Sequence, residues 1–193
     1  MSSVLLHNAT ETKTTTETPE QTEVNEFWTF LNLVKRRLLL GYKVAIVKYQ
    51  NNITVEAPKR EQTILNSIVE KAKTYNLSEE WSRKFFQDQM DANKYVQTEF
   101  IEKWKNGTEP APTEEVKLET VRRLIDTLNS ELFVACVATE NFRSSANCTD
   151  HVESQRAIIV TLLNSDPIYT KAMEMALKNA CLTHKNETHT SES

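Results

Sequence analysis

Residues 27–49 read FWTFLNLVKRRLLLGYKVAIVKY. Phe27, Phe30, Leu31, Val34, Leu38, Ala45 and Val47 recur at three- and four-residue steps, the spacing that puts side chains on one face of an α-helix. The stretch therefore predicts a long helix from Val24 to Tyr49, with Gly41 as its only weak point. Two cations sit inside the apolar stripe. Phe30, Val34, Arg37, Gly41, Ala45 and Lys48 share a face, so Arg37 and Lys48 point nearly the same way with roughly 16 Å of helix axis between them. Gly41 and Ala45 leave unfilled volume between the two. Read on the residues alone, this is either an anion-lined pocket or a pair of cations snorkelling to the ends of the stripe.

Outward from this helix the same periodicity continues. Pro58 suits a helix start, and Ile64, Leu65, Ile68, Val69 and Ala72 predict a second helix to Tyr75. Ser78 is the expected N-cap of a third, running to Lys105 through Trp81, Phe85, Phe86, Met90, Val96, Phe100, Ile101 and Trp104. The Gly- and Pro-containing segment 106–112 interrupts. Thr113 is then read as the cap of a fourth helix to Phe142, followed by a fifth from Cys148 to Leu163 and a sixth from Pro167 to Leu182.

The chain of 193 residues has only two glycines. Sandwiches, barrels, P-loop and dinucleotide-binding folds lose most of their turn chemistry at that content. The expectation is an all-α fold, one six-helix domain over residues 24–182 with long first and third helices. Residues 1–23, rich in Thr and Glu, and 183–193 are read as disordered tails.

A net charge of −4 argues against nucleic acid or an anionic membrane as partner, and no apolar run approaches the ~20 residues of a membrane span. Near the N-terminus the apolar run is Val4-Leu5-Leu6, too short for a signal peptide. The expectation is that any such peptide has been removed or was never present. Sequons occur at Asn8, Asn52, Asn76, Asn106, Asn147 and Asn186, where about two or three would arise by chance, which leans toward a secreted, glycosylated chain. Three cysteines cannot form a closed disulfide framework, and four scattered histidines with no Cys-x-x-Cys pair argue against a metal site. Cys148 opens one helix and Cys181 closes the next, so a helical hairpin would bring them together for a disulfide. Cys136, inside Leu132-Phe133-Val134-Ala135-Cys136-Val137, reads as a core thiol.

The third helix repeats the pattern of the first, with Phe86, Met90, Asn93, Gln97, Ile101 and Trp104 on one face and an amide pair where a core prefers leucine. Those amides either bond a ligand or bond another helix. Arg60-Glu61 lies in the first turn of the second helix. Of Arg122 and Arg123, one must lie close to the apolar stripe of the fourth and the other outside it. No Ser/His/Asp or Cys/His set accompanies them. Cations and amides without a nucleophile suit a dianionic ligand and a reaction governed by shape and electrostatics.

In this order the residues resemble the all-helical chorismate mutases, in particular their secreted, disulfide-bearing gamma subclass. The family pattern is an Arg, a Lys eleven residues on, an Arg-Glu pair twelve further, and a polar residue four before a Gln or Glu. Here these are Arg37, Lys48, Arg60-Glu61, Asn93 and Gln97, and the segment 122–129 matches the region that supplies a further arginine, Arg122. The likeness runs from Phe27 to Leu182 and includes the Cys148/Cys181 spacing. It implies rearrangement of chorismate to prephenate with no cofactor and no metal. Arg37 and Arg122 would bind the two carboxylates, Lys48 and Gln97 the ether oxygen, and Arg60 with Glu61 the ring-hydroxyl side. Asn93, a substrate-binding position, replaces the usual Ser or Thr, and Ala57 stands where some members carry Asp. The subclass also implies an extracellular location and a homodimer. The competing expectation is a catalytically inactive relative, an effector with a host protein as partner.

Overall fold

The computed structural model describes residues 18–182. Within them lie α1 (Pro19–Gln50), α2 (Pro58–Thr74), α3 (Glu79–Lys105), α4 (Leu118–Ala138), α5 (Glu140–Arg143), α6 (Cys148–Leu162) and α7 (Pro167–Ala176). The all-helical expectation holds among the described residues, with seven helices in place of six. The sequons at Asn8 and Asn186, residues 1–17 and the tail from Thr183 lie outside the described residues.

Helix α1 starts at Pro19, five residues earlier than the apolar pattern, because polar capping starts it. Thr18 accepts a hydrogen bond from the Gln21 amide, and Pro19 occupies the first helical position. The expected tail boundary at residue 23 is corrected accordingly. Ser78 caps α3 by accepting from the Trp81 amide, and Asp166 caps α7 by accepting from Ile168 and Tyr169.

The fourth helix departs from expectation at both ends. Thr113 does not cap it; the chain stays non-helical to Lys117. Gln50 Nε2 donates to the carbonyls of Pro112 and Glu114, and Lys43 holds the Glu114 carboxylate at 2.6 Å. Those contacts tie the connector to α1 and take carbonyls a helix would use. At the other end Thr139 Oγ1 donates to the Ala135 carbonyl and the helix closes, leaving α5 as a separate turn. The sixth predicted helix stops at Ala176, whose carbonyl accepts from the Gln89 side chain of α3.

Helix α1 packs along α3 and α4, and α3 also carries α2 and α7. Phe27, Phe30, Phe85, Phe86 and Phe133 are wholly buried in the shared core, each worth about 1.5–3 kcal/mol of transfer. Cys148 and Cys181 are joined in a disulfide between the start of α6 and the turn after α7. Cys136 is free and buried, its thiol pushed up to about 12 by burial, as befits an inert core residue. Asn52, Asn76, Asn106 and Asn147 are exposed at helix ends.

Candidate active site

The long helices frame a cavity of about 240 Å3 between α1, the α1–α2 loop, α2, α3 and α4. Arg37, Lys48, Arg60, Glu61, Asn93, Gln97 and Arg122 all line it, so every substrate-site position expected from the sequence comes to one place. Five cationic and three acidic side chains contribute to the lining, an excess of two positive charges.

Arg37 is 4 % exposed. Its Nε donates to Asn129 Oδ1 at 3.0 Å and its Nη1 to the Gln89 carbonyl at 2.7 Å. Nη2 has no hydrogen-bond partner among the described residues. Burial lowers its pKa to about 10, with Asp126 opposing, so the guanidinium stays charged at neutral pH. Lys48 donates to the Val55 carbonyl at 2.8 Å, leaving two of its three N–H donors for a ligand. Its pKa is lowered chiefly by burial, against the fields of Glu61 and Glu56. Arg122 is exposed along its outer side; burial first and then Arg60 lower its pKa. Arg60 and Arg122 thus bring like charges to one cavity, which an anion would offset.

The amides of α3 are coupled. Asn93 Nδ2 donates to the Arg37 main-chain carbonyl at 3.1 Å, and Gln97 Nε2 donates to Asn93 Oδ1 at 2.7 Å. Gln97 Oε1 is buried without a partner. Gly41 makes this approach feasible: a Cβ there would stand 3.1 Å from both Asn93 Nδ2 and Val96 Cγ1.

Several lining residues were not singled out from the sequence. Lys94 bridges Glu61 at 3.0 Å, Asp91 at 3.3 Å and Glu56 at 3.4 Å. Burial works against its charge, but the Glu61 hydrogen bond, followed by the fields of Glu61 and Asp91, leaves its pKa raised. Glu61 also accepts from the Ala57 amide at 3.3 Å, so both its oxygens are held. The signal for Lys94 was its spacing, four after Met90 and three before Gln97 on the same stripe. For Asp126 and Asn129 it was the run Arg122, Ile125, Asp126, Asn129, one face of α4.

The family model described as chorismate mutase type II matches residues 29–98, which take in most of α1, all of α2 and most of α3. The secreted chorismate mutase of Mycolicibacterium smegmatis is 25 % identical over 146 residues, covering 76 % of this chain and 81 % of that protein. The chorismate mutase of Methanocaldococcus jannaschii is 33 % identical over 76 residues, 39 % of this chain and 77 % of that protein. Among solved structures, the chorismate mutase of Burkholderia phymatum superposes with a TM-score of 0.78 at 22 % identity, over 84 % of this chain and 99 % of that one, and so shares the fold. With 33 % identity over 77 % of the archaeal protein, and with the family model matching three of the four helices that frame the cavity, the chain belongs to the chorismate mutase family.

Proposed function

We propose that the protein is a secreted chorismate mutase that converts chorismate to prephenate in the cavity between α1 and α4, and that Arg37, Lys48, Arg60, Glu61, Gln97 and Arg122 form its site. The observation that carries this reading is the cavity lining: an excess of two positive charges, with amide donors and no nucleophile, complements a small dicarboxylate.

The reaction is unimolecular. A C–O bond breaks as a C–C bond forms, so neither a base nor a covalent intermediate is required. The site has two tasks: to hold the compact diaxial conformer and to stabilise negative charge growing on the ether oxygen. Arg37 and Arg122 act on the carboxylates. Because Nε and Nη1 of Arg37 already bond Asn129 and Gln89, its contribution comes from Nη2 and the second Nη1 hydrogen, held in a fixed direction. Lys48 and the remaining N–H of Gln97 face the ether oxygen, where their bonds strengthen in the transition state. Arg60 and Glu61 serve the hydroxyl side, with Lys94 holding the Glu61 carboxylate in place.

An extracellular location accords with the disulfide and with the secreted relative, and the exposed sequons are suited to carry glycans in a host that adds them. The test is the loss of chorismate absorbance in the ultraviolet together with the appearance of prephenate. Binding without turnover would make the chain an inactive relative; neither binding nor turnover would reject the site altogether.

A further inference from the structure

We infer that Asn93 is a positioning residue that fixes the side-chain amide of Gln97, and that it does not itself bind the substrate; the catalytic side of this inference rests on the function proposed above. The argument starts from a group whose hydrogen-bonding character is unambiguous. A main-chain carbonyl only accepts, so the Asn93 atom 3.1 Å from the Arg37 carbonyl is the nitrogen. That leaves the Asn93 oxygen turned toward Gln97. An oxygen there requires a donor, so the Gln97 atom at 2.7 Å is its nitrogen. Neither amide can turn over without setting oxygen against oxygen.

The consequence is seen at the far side of Gln97. Its Oε1 is buried without a partner. Turning the amide over would only set that oxygen against Asn93 Oδ1, so the chain from the Arg37 carbonyl through Asn93 holds it. Gln97 therefore enters the cavity with a committed direction, one N–H on Asn93 and the second left over. A serine or threonine hydroxyl at position 93 both donates and accepts, so it would tolerate either orientation of Gln97. The asparagine removes that freedom before the substrate arrives, which is the form of preorganisation a developing oxyanion needs. Gly41 is the accommodating feature on α1, since an alanine Cβ would stand 3.1 Å from the Asn93 nitrogen.

A double-mutant cycle with chorismate tests this. Asn93→Ala is expected to lower kcat by about tenfold with little change in KM, and to change kcat by less than about twofold when added to Gln97→Ala. An Asn93→Ala effect that appears in KM and persists in the Gln97→Ala background would make Asn93 a substrate contact and overturn the inference. Asn93→Ser, which has no amide to set the direction, replaces the alanine variant if that fails to fold and should shift kcat in the same sense.

A second measurement needs no turnover. In nitrogen-15 spectra of the substrate-free protein, the Gln97 NH2 pair should be well separated and slow to exchange with solvent, and should lose both properties in Asn93→Ser. A Gln97 pair indifferent to position 93 would overturn the inference whatever the kinetics. If the pair responds as expected while wild-type protein leaves chorismate unchanged, the functional reading fails and the amide lock stands.

Discussion

Among the described residues two arginines are buried, in two regions built for different purposes. Arg37, 4 % exposed, sits where α1 meets α3 and α4; Arg143, 0 % exposed, sits at the corner formed by α4, α5 and the segment after α7. Neither has a carboxylate within ion-pair distance among the described residues. Burial lowers the pKa of both. Arg143 is covered: its guanidinium lies 3.9 Å from the Trp81 ring centroid, its Nη2 donates to the Cys136 carbonyl and its Nε to Thr139 Oγ1. Its own carbonyl accepts from Leu182, next to the disulfide, and Trp81 donates to the Asn179 carbonyl. Arg143 Nη1 is buried without a hydrogen-bond partner among the described residues. Arg37 likewise bonds through two nitrogens, Nε and Nη1, but it lines the cavity. A buried cation that is covered on its face and bonded on its edge holds a fold together. One that is also bonded but lines a cavity is placed to meet a ligand.

The largest expected effect falls on the open region. Lys48→Ala should lower kcat by on the order of 10²–10³ while shifting the unfolding midpoint little, since its donors strengthen only as charge develops. A near wild-type rate would remove Lys48 from the chemistry. In the closed region the leading effect is on stability. Replacing Cys148 and Cys181 by serine frees a loop with a sequence separation of 33, and the chain-entropy account gives a loss of about 3–4 kcal/mol. Denaturant unfolding should show it, with turnover per folded molecule preserved; lost turnover in fully folded protein would mean that the clasp reaches the cavity.

Arg143→Ala should cost about 2–4 kcal/mol by opening space beside Trp81 and leaving the Cys136 carbonyl without its donor. Arg143→Met should cost less, because the thioether fills the slot over the ring and no charge is buried. A methionine variant worse than the alanine one would show that the charge itself matters.

Smaller effects concern pH. The proposed mechanism uses Lys48 as the ammonium, and its pKa is lowered, so kcat should be flat from about pH 5 to 8 and fall on the alkaline side before the usual lysine range. Gln97→Glu should add a second limb, active while the carboxyl is protonated and failing as it ionises, because a carboxylate repels charge growing on the oxygen. Identical pH–rate profiles would place Gln97 away from the reacting atom. Smallest of all, exposed Arg123, outside the cavity lining, should tolerate alanine with activity near wild type.

The open region was legible in the sequence and the closed one was not, for a physical reason. Arg37, Lys48, Asn93 and Gln97 interrupt apolar stripes on helices long enough for the periodicity to stand out. Arg143 lies in a four-residue helix with no stripe to interrupt, and its partners Trp81, Cys136 and Thr139 come together only through tertiary packing. The same holds for the start of α4. Thr113 had the chemistry of a cap, but the side chains that hold the connector out of a helix, Gln50 and Lys43, are more than sixty residues away in sequence. Local signals predicted the starts of α2, α3 and α7, where capping residues and prolines act on their own neighbours. Lys94 was overlooked although its spacing was readable, because a lysine beside Asp91 reads as a solvated pair until Glu61 of another helix is seen against it.

The contrast between the two arginines is tested most directly by one paired measurement: kcat/KM for chorismate, followed by loss of ultraviolet absorbance, in folded Arg37→Ala and Arg143→Ala proteins. Arg37→Ala should fall by on the order of 10²-fold or more, and Arg143→Ala should stay within about threefold of wild type per folded molecule. Equal losses in the two proteins, or a larger loss for Arg143→Ala, would contradict the assignment of one region to the ligand and the other to the fold.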